Sequence, residues 1–285
     1  MRIAGVQMDV SLGDVAGNLT RMDAFLKETT GSGAALTIFP ECAVTGYCFE
    51  TLEHGRELAQ PIPGPATERI AAACNARQCC CIFGMLESAG GQVFNAAALV
   101  GPDGVIGSYR KVHLPYLGVD RHTTPGDRPF AVHEAGGVRI GMNICYDAAF
   151  PEAARCLALL GADLIALPTN WPPGAECMAA NTIASRAMEN GVYYAAVNRV
   201  GTEAGFPFIG RSSICAPNGA ILAAARGTEE EILYADIDVT LSRRKHVIRI
   251  ENKHEINRFA DRRPEMYRLL TEPHSLPTPR AVHAK

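Results

Sequence analysis

A thiol, a carboxylate and an ammonium group can together carry out nucleophilic acyl chemistry. The thiol attacks, the carboxylate moves protons and the cation stabilises an oxyanion. Three segments of this 285-residue chain offer those groups. Cys145 closes the apolar run Gly141-Met142-Asn143-Ile144-Cys145, before the polar Tyr146-Asp147 and a helix that starts near Pro151. A helix N-terminus and a nearby cation would each favour the thiolate. Taken alone, the pattern marks an ordinary buried cysteine far more often than a catalyst. Glu41 follows Leu36-Thr37-Ile38-Phe39-Pro40. A carboxylate directly after a buried strand is solvated, paired or functional, and partial burial would raise its pKa toward that of a general base. Lys111, in Tyr109-Arg110-Lys111-Val112-His113-Leu114, is either a solvated strand end or an inward cation placed for an oxyanion.

The elements that must position these residues follow from periodicity. Strands are expected at 2–10, 36–39, 79–85, 95–100 and 105–111, and helices at 15–30 and from Pro65 to Gln78, where the proline suits a first helical turn. Gly101-Pro102-Asp103-Gly104 joins two of these strands in a hairpin that delivers Lys111. A second hairpin pairs 129–133 with 138–145, followed by a helix at 151–160. Further strands are expected at 164–168, 192–198, 209–216, 220–225 and 232–239, with a helix at 176–190 between the first two. Antiparallel hairpins among interspersed helices indicate a layered α+β fold, with two sheets packed face to face and helices outside.

Composition removes several alternatives. The 47% hydrophobic content can fill a sizeable core, and a formal net charge of -3 provides no basic surface for nucleic acid. There is neither a long apolar run for a membrane nor a signal peptide at MRIAGVQMDV, so a soluble, cytoplasmic protein is expected. The ten cysteines sit mostly in apolar runs such as Cys79-Cys80-Cys81 and read as reduced thiols. No paired Cys or His at ligand spacing calls for a metal. No linker divides the chain, so residues 1–272 are expected to form a single domain, with 273–285 as a Pro-rich C-terminal extension.

Phe39-Pro40-Glu41, Tyr109-Arg110-Lys111-Val112-His113-Leu114 and Cys145-Tyr146-Asp147 with Phe150-Pro151-Glu152 closely resemble, in order, the three signatures of the nitrilase (carbon-nitrogen hydrolase) superfamily. The resemblance runs from Ile3-Ala4-Gly5-Val6-Gln7 to Asp261-Arg262-Arg263-Pro264-Glu265-Met266-Tyr267. It implies a four-layer α-β-β-α sandwich in which Glu41 is the base, Lys111 the electrophilic partner and Cys145 the nucleophile. The Tyr146 backbone N–H is then a further oxyanion donor, and Asn170 and Trp171 fall in the pocket-lining loop. It also implies cofactor-independent hydrolysis of a small linear amide through a thioester, in a homodimer or higher homo-oligomer.

Two departures stand out. Many members carry a second active-site glutamate, but Tyr116-Leu117-Gly118-Val119-Asp120-Arg121 has none. Asp120 is the candidate substitute, and a salt-bridged loop aspartate is the other reading. Ala148-Ala149-Phe150 also lacks the arginine that many amidases place before the phenylalanine. Cys145-Tyr146-Asp147 resembles amidases and N-carbamoyl hydrolases, including the carbamoylputrescine type, more than the Cys-Trp-Glu of nitrile-cleaving members. A catalytically silent interaction module is the reading from another class. His113 and His122 receive no role.

Overall fold

The computed structural model describes residues 1–283 and assembles the apolar runs into two six-stranded sheets. In the first, β1 (Arg2–Gln7), β2 (Leu36–Ile38) and β3 (Cys80–Ala89) run parallel, and β4 (Gln92–Gly101) and β5 (Gly104–Arg110) continue antiparallel. In the second, β6 (Val132–Ala135) pairs antiparallel with β7 (Val138–Met142), which runs parallel to β8 (Leu164–Thr169) and β9 (Tyr193–Asn198). A short ribbon of β10 (Thr202–Glu203) and β11 (Phe206–Pro207) follows. Beyond it, β12 (Ser213–Cys215) and β13 (Ile221–Ala224) extend the second sheet, and β14 (Glu231–Asp236) returns to flank β1.

The outer layers form because each helix has one apolar face to bury. α1 (Val15–Gly31) starts where the Asp14 carboxylate accepts the Gly17 N–H at 2.9 Å. After α2 (Leu52–Leu58) comes α3 (Pro65–Arg77), with proline in its first turn. Leu19, Met22 and Leu26 of α1 and Ile70 and Cys74 of α3 pack with Val6, Phe83 and Val100 of the first sheet. α4 (Pro151–Leu159) and α5 (Ile183–Asn190) cover the second sheet through Leu157, Ile183 and Ala187. Ile3, Ile38, Ile82 and Leu99 of the first sheet join that same cluster, so the sheets share a core. At Gly5 they approach so closely that a Cβ would lie 2.9 Å from Val197 Cγ2. The result is the expected α-β-β-α sandwich.

Several boundaries differ from the expectation, for local reasons. The hairpin of β3 and β4, turning at Gly90-Gly91 with φ of +56° and +76°, was not expected as a pair. The expected strand stopped at Met85, short of the polar Glu87 and Ser88, yet Glu87 is buried in the strand, where Arg110 donates to both its oxygens at 2.8 and 2.6 Å. The expected 209–216 strand is ladder-bonded only over β12. Upstream, Asn198 donates to the Gly210 carbonyl and the Ser212 N–H donates to Gln7, replacing strand partners. The expected 176–190 helix opens with a wide π-turn at Met178–Thr182.

The rest is α6 (Val239–Arg243), an exposed hairpin of β15 (Val247–Ile250) and β16 (His254–Ile256), short turns at 264–270 and α7 (Pro279–His283). α7 folds back on the body: Arg280 donates to the Thr123 carbonyl at 2.8 Å, and His283 stacks on Tyr116. Among the described residues no helix is long and apolar enough to cross a membrane. None of the ten cysteines is in a disulfide.

Candidate active site

Parallel strands in a layered fold leave their carboxyl ends open to loops, and ligands gather there. Glu41 lies three residues beyond β2, Cys145 three beyond β7, and Asn170 and Trp171 directly after β8; Lys111 follows the last residue of β5. The chain after β2 turns back over β3, which Gly84 permits: a Cβ there would sit 2.3 Å from the Cys42 nitrogen and 2.6 Å from the Glu41 Cα. The Gly84 N–H donates to the Pro40 carbonyl at 3.0 Å and pins the turn.

Glu41, Lys111 and Asp120 are brought together and fully buried. Lys111 Nζ donates to Glu41 Oε1 at 2.7 Å and to Asp120 Oδ2 at 2.6 Å. Two residues that sequence reasoning missed complete the cluster. Asn95 Nδ2 donates to Glu41 Oε1 at 2.7 Å and Asp120 Oδ1 at 2.9 Å, and the Tyr47 hydroxyl donates to Asp120 Oδ2 at 2.8 Å. Asn95 had a usable signal, a lone amide inside the apolar run of β4, where burial demands a partner. Tyr47 had none. Its loop is held by the buried Glu203 carboxylate, which accepts from the Tyr47 and Cys48 N–H groups and pairs with Arg199.

Cys145 opens a 3-10 turn, Cys145–Ala149, with its backbone in the left-handed region at φ +43°, and is 5% exposed. Such a conformation is uncommon for a residue with a Cβ and persists only where the surroundings fix it. Asp147 does that fixing: it accepts from the Ile144 N–H at 2.9 Å, the Tyr109 hydroxyl at 2.8 Å and the His113 N–H at 3.1 Å. The His113 ring Nδ1 lies 2.7 Å from Asp147 Oδ1, and that ring stacks on Phe150. His113, given no role above, thus ties the cysteine turn to the strand end that carries Lys111.

Burial raises the Glu41 carboxyl above its ordinary range; Lys111 opposes the rise and the Asp120 charge adds to it. Burial disfavours the Lys111 cation, but Asp120 and Glu41 outweigh it and hold Lys111 charged, well above its usual pKa. The thiol corrects an expectation. Instead of favouring thiolate, the site pushes Cys145 up to about 12, through burial and then the Glu41 charge, against the pull of Lys111, the Thr169 side chain and the Asn170 backbone. One cation shared by two carboxylates cannot compensate for the loss of water around sulfur.

Several polar atoms here have no protein partner: Glu41 Oε2 and both side-chain atoms of Asn143 and Asn170. Buried polar atoms without partners are rare and mark places where a ligand completes the bonding. Trp171 is buried in the same cluster as Cys145, with its backbone N–H donating to Asn198 Oδ1 at 2.8 Å; Tyr146 is 40% exposed, edge-on to Phe150. Among the described residues no group of three or more His, Cys, Asp and Glu side chains is arranged to hold a metal ion.

Two six-stranded sheets packed face to face carry a buried carboxylate–lysine–carboxylate cluster and a cysteine at positive φ at their strand ends, and this architecture has counterparts among known proteins. The carbon-nitrogen hydrolase family model matches residues 2–245, and the chain belongs to that family. It is 40% identical to the nitrilase of Pyrococcus abyssi, over 94% of this chain and 99% of that protein. It is 32% identical to the omega-amidase of Homo sapiens, over 84% of this chain and 88% of that one. The crystal structure of an amidase from Nesterenkonia sp. superposes with a TM-score of 0.78 at 26% identity, covering 95% of this chain and 96% of that one.

Proposed function

We propose that the protein hydrolyses the carbon–nitrogen bond of a small linear amide, releasing ammonia or an amine, with Cys145 as nucleophile, Glu41 as base and Lys111 as electrophilic partner. One observation carries this reading: Lys111 is clamped between Glu41 and Asp120 while Glu41 keeps its second oxygen unpartnered and its charge acts on the Cys145 thiol. With its pKa pushed up to about 12, the thiol is protonated at neutral pH. Proton transfer to Glu41 therefore accompanies attack. Sulfur bonds to the amide carbon, the carbonyl electrons move to oxygen, and Lys111 with the Tyr146 N–H stabilises that oxyanion. Glu41 returns the proton to the leaving nitrogen as the carbon–nitrogen bond breaks, giving a thioester. Water, deprotonated by Glu41, then adds to the thioester, and the acid leaves as the thiol regains its proton. Asp120 supplies the second carboxylate, holding Lys111, and Asn170 and Trp171 line the substrate side.

The relatives support an amide over other substrates. The E41Q mutant of the Nesterenkonia sp. AN1 amidase is described with the result of Michael addition of acrylamide at its active site cysteine, and other relatives are an omega-amidase and an (R)-stereoselective amidase. The Pyrococcus abyssi relative is called a nitrilase. Release of ammonia or amine across primary amides, N-substituted amides, N-carbamoyl amines and nitriles tests the reading: turnover restricted to nitriles, or none at all, overturns it.

Assembly into a homodimer or higher homo-oligomer is part of the same proposal. Leu241, Ile248, Ile250, Met266, Leu269 and Leu270 are exposed along the C-terminal segment, an apolar surface suited to docking on a second copy. Light scattering on the full chain and on a version truncated before Leu241 checks it. A fully active monomer refutes it.

A further inference from the structure

We propose that a cavity beneath the helix containing the π-turn is a binding site for a small oxyanion, a phosphate or dicarboxylate, separate from the cysteine site. Ser212 and Ser213 point to opposite faces of the second sheet, as successive strand residues do. Ser212 faces the first sheet, with its hydroxyl on Gln7 Oε1 at 2.8 Å. Ser213 faces the helix layer, where Ala179, Ala180 and Ala184 leave space that larger side chains would fill. The cavity there measures about 300 Å³, and Arg211 and Arg226 stand at its edge. That size lies at the lower end of small-molecule sites, roughly 300–1,000 Å³.

Two independent observations point to a ligand. The Ser213 hydroxyl is buried with no oxygen or nitrogen partner, and its one polar neighbour is the Cys215 thiol, a weak hydrogen-bonding group. The two guanidinium groups have no carboxylate partner among the described residues. The nearby Glu231 carboxylate is turned onto the Arg226 backbone N–H at 3.0 Å. Two unpaired planar forks and a hydroxyl donor around one small cavity match an oxyanion carrying two charges. The π-turn of the wall, Met178–Thr182, packs against the Cys145–Ala149 turn, and such turns recur at functional sites.

Titration calorimetry of the full chain, in a Cys145→Ala background and at constant ionic strength, tests the site with inorganic phosphate and with succinate. Saturable binding of either supports the proposal, and the tighter of the two identifies the source of the oxyanion. Arg211→Gln and Arg226→Gln should each weaken binding by about tenfold or more, the loss of one charge-assisted hydrogen bond, and Ser213→Ala by several-fold. Arg268→Gln, which alters a distant exposed pair with Glu272, should change nothing. Circular dichroism confirms folding; if Arg211→Gln fails to fold, Arg226→Gln decides alone. Absence of saturable binding to both anions, or binding undiminished in the folded arginine variants, overturns the site.

Discussion

Replacing Asp120 by Asn should shift the acid limb of kcat/KM to lower pH. Asp120 and Glu41 each place an oxygen within 2.7 Å of the same Lys111 nitrogen, so those oxygens are at most about 5 Å apart. At an effective dielectric of about 20, two unit charges at that distance repel by roughly 3 kcal/mol, or about two pK units. The carboxylate charge is spread over two oxygens, which reduces the effect to about one to two units. The second consequence has the same sign. Once Asp120 is neutral, Lys111 leans on Glu41 alone and favours its charged form further. Since Glu41 acts as base only when ionised, its activity would persist to lower pH. Turnover itself should fall, because an amide cannot accept from Lys111 and Tyr47 as the carboxylate does. Ammonia release across pH 4 to 9 measures the limb; if turnover is undetectable, the pH dependence of Cys145 alkylation by iodoacetamide measures it instead. A limb that stays fixed or moves upward in a folded variant refutes the electrostatic account.

Cys145→Ala should abolish turnover with the melting temperature preserved, and Cys145→Ser should be nearly as inactive, since a hydroxyl is a far weaker nucleophile without a base tuned to it; substantial activity in either would displace Cys145. Glu41→Gln and Lys111→Ala should each lower kcat by about a hundredfold to a thousandfold, and added metal ions should restore neither, as single-turnover ammonia assays would show. Asp163 is raised by burial, but Arg243 and Arg139 outweigh that and hold it at about 2. With its pKa depressed on folding, its contribution is complete above the unfolded value near 4 and is lost as pH falls through about 2. Asp163→Asn should therefore cost about 2 kcal/mol at pH 7 in urea unfolding, and the gap to wild type should close between pH 4 and 2.

Local sequence determined the building blocks and the chemically capable residues. Apolar runs bounded by turns specified most strands, Pro65 marked a helix start, and three short motifs identified Glu41, Lys111 and Cys145 in chain order. These features are legible because strand periodicity, capping and signature residues act over a few neighbouring positions. What only the tertiary structure decided depends on residues far apart in the chain. Asn95 reaches Glu41 across 54 positions and Tyr47 reaches Asp120 across 73, and neither pairing has a local signature. The protonation state of Cys145 reversed between the two views for the same reason. A helix start and a nearby lysine favour thiolate locally, but desolvation depends on everything packed around the sulfur, and here it prevails. The polar end of β3 likewise became strand only because Arg110, arriving on β5, neutralised Glu87 in the core. Sequence names the groups; the folded chain sets their distances and removes the water, and those two quantities fix the electrostatics of the site.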